Sequence, residues 1–146
     1  MRQINLRLHD LISLEHDQAL YDLHNDFEFL GLHLDTRAGS LTLSWQRRVR
    51  PWIRRTVPES IHLRFEEVVS LTVHPRDPEM PPGEDTTLSH MGYVHPDLPD
   101  PLGGVATEDI WLRDRQDDSR PFPMLFAFQG GQVIVVLAAQ VSVQLR

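Results

Sequence analysis

The chain has 146 residues, enough for one ordinary domain, and its net charge of −7 argues against general binding to nucleic acid. It has no cysteine and therefore no disulfide, which suits a reducing compartment. The N-terminus lacks the pattern of a secretory signal, and the longest apolar run, Val133 to Ala139, is too short to span a bilayer. We therefore expect a single domain over residues 1–146, located in the cytoplasm and not in a membrane.

The first 25 residues predict a strand followed by a helix. Ile4, Leu6 and Leu8 alternate with polar residues as in a strand. Between Glu15 and Asn25 the apolar residues follow helical spacing instead, and Leu20, Leu23 and Phe27 would share one helix face. We therefore predict one N-terminal helix.

From Phe27 onward the pattern is that of β-strands. Apolar residues alternate in Phe27 to Leu34 and in Leu41 to Trp45, on either side of the turn 36–39, which predicts a hairpin with one face buried. In the first strand, Leu30, Leu32 and Leu34 would form the apolar face. A further strand over Ile61 to Phe65 can continue to Val73 only if Glu66-Glu67 lies at a bulge or turn.

The remaining third combines a proline-rich loop with a C-terminal hairpin. Seven prolines make most of Pro75 to Gly104 a loop, in which only Thr86 to Val94 can pair in a sheet. Ile110 and Leu112 indicate a short strand. Gly130-Gly131 between two apolar strands predicts a hairpin with a type I′ turn.

Together these patterns predict a mainly β fold, α+β at the margin. We expect seven or eight strands in an antiparallel sandwich, a curved sheet or a partly open barrel that carries the one N-terminal helix.

The densest positive charge lies between Trp45 and Arg64, where six arginines accompany one acid, Glu59. This local balance of +5 leaves −12 for the rest of the chain. Guanidinium groups bind phosphate with two hydrogen bonds and tryptophan stacks on bases, so a phosphate, nucleotide or small-ligand site is one interpretation. The other is a solvated loop whose arginines pair with the protein's own acids or with another subunit. The candidate residues for the anion site are Arg47, Arg48, Arg50, Trp52, Arg54 and Arg55.

The acidic clusters favour a different function, because an acidic surface steers association with a basic protein such as a nuclease. The alternative for each cluster is an ordinary solvated surface. The candidate partner-binding residues are Glu84, Asp85, Asp97, Asp100, Asp114, Asp117 and Asp118.

No pattern identifies a metal site or an active site. His74, His90 and His95 have acids nearby but match no familiar ligand spacing, so we expect exposed loop histidines, no metal and no cofactor. There is no Gly-x-Ser-x-Gly elbow. The neighbouring acids Glu66-Glu67 and Asp117-Asp118 would point to opposite faces of a strand. We therefore predict no catalytic residues and no enzyme.

Four segments, Leu23 to Phe27, Leu41 to Trp45, Leu63 to Val68 and Phe126 to Gln132, together resemble the pattern of a loose group of small bacterial β-rich proteins. Some members of this group are immunity proteins of polymorphic toxin systems, which bind and neutralise a toxin. The resemblance implies a β-rich fold and a protein partner, and no catalytic residues carry over from it.

The leading hypothesis is a non-enzymatic protein-binding domain, of the immunity type, that neutralises a basic partner. The alternative is a phosphate, nucleotide or small-ligand binding module that uses the arginines and tryptophan of residues 45–55. A third hypothesis is a structural subunit whose arginine segment pairs with the acidic remainder of another copy.

Overall fold

The structure is a computed structural model that describes residues 1–53, 56–97, 107–113 and 121–146. The described residues form ten strands and two short 3₁₀ helices, Pro82–Thr86 and Thr107–Asp109. The strands are β1 (Arg2–Ile4), β2 (Arg7–Leu8), β3 (Ser13–His16), β4 (Ala19–Asp22), β5 (Phe27–Asp35), β6 (Ser40–Arg47), β7 (Ser60–His74), β8 (Leu88–Tyr93), β9 (Met124–Phe128) and β10 (Val133–Leu145). The mainly β class is confirmed.

The strands form one large curled sheet and one small sheet. The large sheet has the order β5-β6-β7-β10-β9-β8 with antiparallel neighbours, and β1 adds to it by pairing in parallel with β10. β2, β3 and β4 form the small antiparallel sheet. Of the predicted architectures, the curved antiparallel sheet is the one observed.

The predicted N-terminal helix is wrong. The segment from Glu15 to Asn25 contains the β3–β4 hairpin, whose two-residue loop is Asp17-Gln18. Both loop residues have positive φ, 49° and 66°, as a type I′ turn requires. Since the chain reverses at this loop, Leu20 is exposed while Leu23 is buried, and the two do not share a helix face.

The β5–β6 hairpin is confirmed, but its buried residues are only partly those expected. Leu41, Leu43 and Trp45 are fully buried. On β5 the buried residues are Phe27 and Phe29, whereas Leu30, Leu32 and Leu34 are all exposed. The register shifts between Phe29 and Gly31, and Gly31 has a φ of 140°. This bulge interrupts the alternation on which the prediction depended.

The irregular positions on β7 and in the C-terminal hairpin follow from local backbone geometry. An irregularity is present close to the Glu66-Glu67 pair that predicted one, but the extra residue is Val69, because Leu137 pairs with Ser70 and Ala138 with Val68. Glu66 pairs in register with Gln140, and Glu67 has a φ of 53°. The β9–β10 hairpin is also confirmed. Its turn differs from type I′, because of the two glycines only Gly131 has positive φ.

The sheet pairing of the loop regions is partly as predicted. β8 lies within the segment Thr86 to Val94, as expected. The short strand expected at Ile110 and Leu112 is reduced to one bridge, in which Trp111 and Tyr93 exchange backbone hydrogen bonds of 2.9 and 2.7 Å.

β9 is the centre of the core because apolar side chains cover both of its faces. Met124, Phe126 and Phe128 point into the main cluster, in which Phe126 contacts Trp45 and Phe65. On the opposite face, Leu125 and Ala127 pack in a second cluster. The members that join them there are Val94, Ile110 and Val133.

The curl of the large sheet brings the start of β5 close to the start of β8. Arg48 bridges this seam: its Nε donates to the Phe27 carbonyl at 2.8 Å and its Nη2 to the Thr87 hydroxyl at 2.9 Å. His24 adds a second link, since its Nδ1 lies 2.6 Å from the Leu88 carbonyl. The residues that follow β6 are therefore fixed at their base beside the β3–β4 hairpin.

Candidate functional site

The candidate site is built on residues 48–53, the arginine–tryptophan loop, which follows the last residue of β6. Arg48 attaches the loop to the fold, because its backbone N–H donates to the Asp26 carbonyl at 2.8 Å and its side chain bridges the seam. A turn closed by the Ile53 N–H and the Arg50 carbonyl, 3.2 Å apart, shapes its tip. Pro51 lies within this turn and restricts the backbone there.

The arginines predicted to bind an anion divide into two kinds. Arg47 and Arg48 are half-buried and donate to neutral oxygens of the fold, Arg47 to the Val57 carbonyl and Arg48 as described above. Arg50 is exposed, and its guanidinium carbon lies 5.9 Å from the centre of the Trp52 ring. Arg54 and Arg55 lie outside the described residues.

Apolar side chains of the loop, and one of the neighbouring strand, are exposed. Trp52 is 69% exposed, Val49 100% and Leu20, on the neighbouring β4, 55%. An exposed tryptophan beside other exposed apolar residues is a common feature of interaction surfaces.

Two clefts flank the loop and share Ile53 as a wall. The first, the basic cleft, has a volume of about 620 Å³ and is lined by Arg47, Arg48, Val49, Arg50, Pro51 and Ile53. The second, the Asp26 cleft, has a volume of about 510 Å³ and apolar walls that include Leu20, Trp52 and Val57. Among the described residues that line the Asp26 cleft, Asp26 is the only one with an ionisable side chain apart from Tyr21.

The Asp26 carboxylate is in an unfavourable place for a charge. Burial is the main cause that raises its pKa, and the nearby Asp22 carboxylate raises it further. Asp22 accepts hydrogen bonds from the backbone of His24 and Asn25, whereas no donor to the Asp26 carboxylate is found in the described part of the chain. A cationic group in the cleft would stabilise the ionised form of Asp26.

Three of the acidic residues predicted to bind a partner lie in the described structure, and two of them have a basic neighbour. Asp85 is half-buried and pairs with Arg76 Nε at 2.7 Å. Asp97 is exposed, with its carboxylate 3.9 Å from His95 Nδ1. Glu84 is half-buried in the 3₁₀ helix that contains Asp85. The other four lie outside the described residues: Asp100, Asp114, Asp117 and Asp118.

The pairing of Asp85 belongs to a larger packing of residues 75–87, the proline-rich arm, on the β9–β10 turn. The Asp77 N–H donates to the Gly130 carbonyl at 2.8 Å, and the Gly130 N–H donates to the Glu84 carbonyl at 3.1 Å. A Cβ atom at Gly130 would lie 3.0 Å from Asp85 Cα and would displace the Asp85 carboxylate, so glycine favours this close approach.

The histidines give no sign of a metal site within the described ranges, where no three His, Asp or Glu side chains come together. His74, His90 and His95 are half-buried, and the first two lie on strands β7 and β8, so the expected exposed loop histidines are not observed. The prolines around these histidines predict a loop, but proline does not prevent the neighbouring residues from pairing in a strand.

One histidine that the sequence did not single out has hydroxyl neighbours. His62 Nδ1 lies 2.9 Å from Ser44 Oγ, and its Nε2 lies 3.1 Å from Ser60 Oγ. Burial, and then the charge of Arg146, lower the pKa of His62. In the described structure no carboxylate hydrogen-bonds to this imidazole, so it lacks the orienting acid of a nucleophilic triad.

Sequence reasoning found the arginine–tryptophan loop but not the Asp26 cleft. Trp52 was visible as an aromatic residue among arginines. The predicted helix over Glu15 to Asn25 includes Leu20 but ends before Asp26. The cleft exists only because β4 and the loop come together in the fold. The sequence feature that could have indicated the β3–β4 hairpin is its turn, Asp17-Gln18. Neither residue is the glycine or asparagine that a type I′ turn usually contains.

Comparison of the chain with protein-family models, with curated proteins and with solved structures gave no match. Within the described residues, no helix combines the length and the apolar character that crossing a membrane requires.

Proposed function

We propose that this chain is a non-enzymatic binding domain that recognises another protein through the Asp26 cleft. The observation that carries the proposal is the composition of the cleft, in which exposed Leu20 and Trp52 line the same space as the Asp26 carboxylate. Interfaces concentrate their binding energy in tryptophan and arginine residues, and the exposed Trp52 supplies such a residue at the edge of this cleft.

The cleft fits an arginine or lysine side chain of the partner. The aliphatic stem of such a residue packs against Leu20 and Trp52 while its charged head reaches Asp26. The ion pair formed in this way replaces solvent around a carboxylate that has no donor within the described structure, which favours binding.

The overall charge supports a basic partner. Outside residues 45–64 the chain carries −12, which attracts a basic protein over long range and speeds association. Glu84, Asp85 and Asp97 contribute to this attraction through their charge, without having to contact the partner. An immunity-type protein that neutralises a basic toxin has these properties.

The test is affinity capture from a lysate of the native host at low salt, with five immobilised proteins compared side by side. These are the parent chain, Asp26→Asn, Trp52→Ala and two controls that make matched changes elsewhere. Glu79→Gln removes an exposed carboxylate, and Val69→Ala truncates an apolar residue that is 73% exposed on β7.

We expect a basic protein that the parent and both controls retain and that added salt releases. Asp26→Asn and Trp52→Ala should each lower its retention by about tenfold or more, the effect of removing a central interface residue. Equal retention by all five proteins, or no basic protein retained by the parent, would contradict the proposal.

A further inference from the structure

Two arginines that line the basic cleft, Arg48 and Arg50, have no ion pair with a carboxylate of the described residues. Other arginines are paired with acids: Arg64 lies 3.2 Å from Glu66 and Arg76 lies 2.7 Å from Asp85. For Arg48 and Arg50, no carboxylate oxygen of the described residues lies within 4.0 Å.

Arg48 is the stronger of the two indications because it is half-buried. Its observed side-chain partners, the Phe27 carbonyl and the Thr87 hydroxyl, are neutral, so they orient the guanidinium without cancelling its charge. A cation held partly out of water and without a counter-charge favours a bound anion. The guanidinium N–H groups that remain after these two bonds are available to a ligand.

We propose that the basic cleft binds a phosphate group, either inorganic phosphate or the monoester of a nucleotide. Arg48 is the fixed contact and Arg50 the movable one, and together they offer the planar forks that suit phosphate oxygens. The volume of about 620 Å³ is within the usual range of small-ligand sites.

Trp52 extends the site toward a nucleotide base. Its ring is exposed and close to the Arg50 guanidinium, so a base can stack on it once Arg50 turns toward the phosphate. The same movement changes the surroundings of the indole, which makes its fluorescence a reporter of binding. This inference does not rest on the proposed protein partner, since it concerns the other cleft.

The test is titration of the full chain with sodium phosphate and, in a separate experiment, with AMP. Calorimetry monitors both titrations, and tryptophan fluorescence monitors the phosphate titration. Sodium chloride at matched ionic strength is the control for screening. We expect saturable binding of phosphate at millimolar concentration or below. Tighter binding of AMP would identify a nucleotide as the ligand, whereas equal affinities would identify free phosphate.

Variants assign the binding to the basic cleft. Arg50→Gln should weaken phosphate binding by about tenfold, the effect of losing one charge-assisted hydrogen bond. Arg37→Gln makes the same change at an exposed turn between β5 and β6 and should have no effect. Trp52→Phe should abolish the fluorescence change while the calorimetric binding of phosphate persists.

Two results would overturn the inference. One is a response to phosphate that sodium chloride reproduces at the same ionic strength. The other is unchanged phosphate affinity in Arg50→Gln. Asp26→Asn leaves both arginines in place, so the protein-binding proposal and this one fail separately.

Discussion

The arginine–tryptophan loop and the proline-rich arm both stand out in the sequence as charged segments, but the fold uses their charges differently. In the arm, Arg76 pairs with Asp85, and backbone hydrogen bonds attach the segment to the β9–β10 turn. In the loop, Arg50 has no carboxylate partner among the described residues, and the exposed Trp52 lines the Asp26 cleft.

The difference shows that a charge cluster in a sequence does not by itself indicate a binding surface. Charges that meet a partner inside the fold stabilise it locally. Charges left without a counter-charge, next to exposed apolar side chains, are available to a ligand. On this basis we place the anion at the loop arginines, place the basic partner at the neighbouring Asp26 carboxylate, and assign the arm a structural role.

The largest change in stability is expected at Arg48, the loop arginine whose side chain bonds to other parts of the fold. Arg48→Ala removes two charge-assisted hydrogen bonds across the seam and leaves their acceptors without a donor, so we expect a loss of about 3 kcal/mol in the free energy of unfolding. Urea denaturation measures this loss.

The exposed Arg50 is the matched control for that experiment. Because the described structure gives its side chain only the Trp52 ring as a neighbour, Arg50→Ala should change the free energy of unfolding by less than about 0.5 kcal/mol. Equal losses in the two variants would show that the loop arginines do not divide into structural and available ones.

In the arm, the expected effect is intermediate. Arg76→Ala removes the pair with Asp85 and a hydrogen bond to the Met80 carbonyl, and should cost about 1 kcal/mol because both side chains are about one-third exposed. The double variant Arg76→Ala with Asp85→Ala completes a cycle that isolates the coupling. A coupling energy near zero would mean that Arg76 does not hold Asp85, so that the acids of the arm would be as available to a partner as unpaired acids are.

The smallest change in stability is expected at Asp26, where the substitution should stabilise the folded chain. Because burial raises the pKa of Asp26, the folded chain binds this proton more tightly than the unfolded chain does. Stability is therefore lost as pH rises above the ordinary value of 3.8 and through the raised value.

Asp26→Asn should accordingly raise the melting temperature at about pH 7 and leave it nearly unchanged at about pH 3, where both forms are neutral. The gain should be smaller than the loss in Arg76→Ala. A variant that melts below the parent at neutral pH would show that the carboxylate already has a stabilising partner.

Most strands of this fold could be predicted from sequence because their buried faces alternate cleanly. Leu41, Leu43 and Trp45 are fully buried, and the Gly130-Gly131 pair does form the last hairpin. The Glu66-Glu67 pair indicated an irregularity in β7, which the structure has nearby, at Glu67 with its positive φ and at the bulged Val69.

The failures have physical causes that a single sequence does not contain. Asp17 and Gln18 both adopt positive φ without a glycine. The chain therefore reverses there and forms β3 and β4 where the spacing predicts a helix. The bulge before Gly31 left Leu30 exposed. The Asp26 cleft depends on residues about 30 positions apart that meet only in the folded chain, so its carboxylate could not be recognised from local patterns.

The measurement that tests the central claim most directly is amide hydrogen exchange of the chain, alone and bound to the basic protein that it captures. The account predicts slower exchange on binding in residues 19–26, 48–53 and 56–57, with residues 75–87 unchanged. Protection confined to the acidic residues from 84 to 97, with none at the loop, would contradict it and return recognition to the acidic clusters.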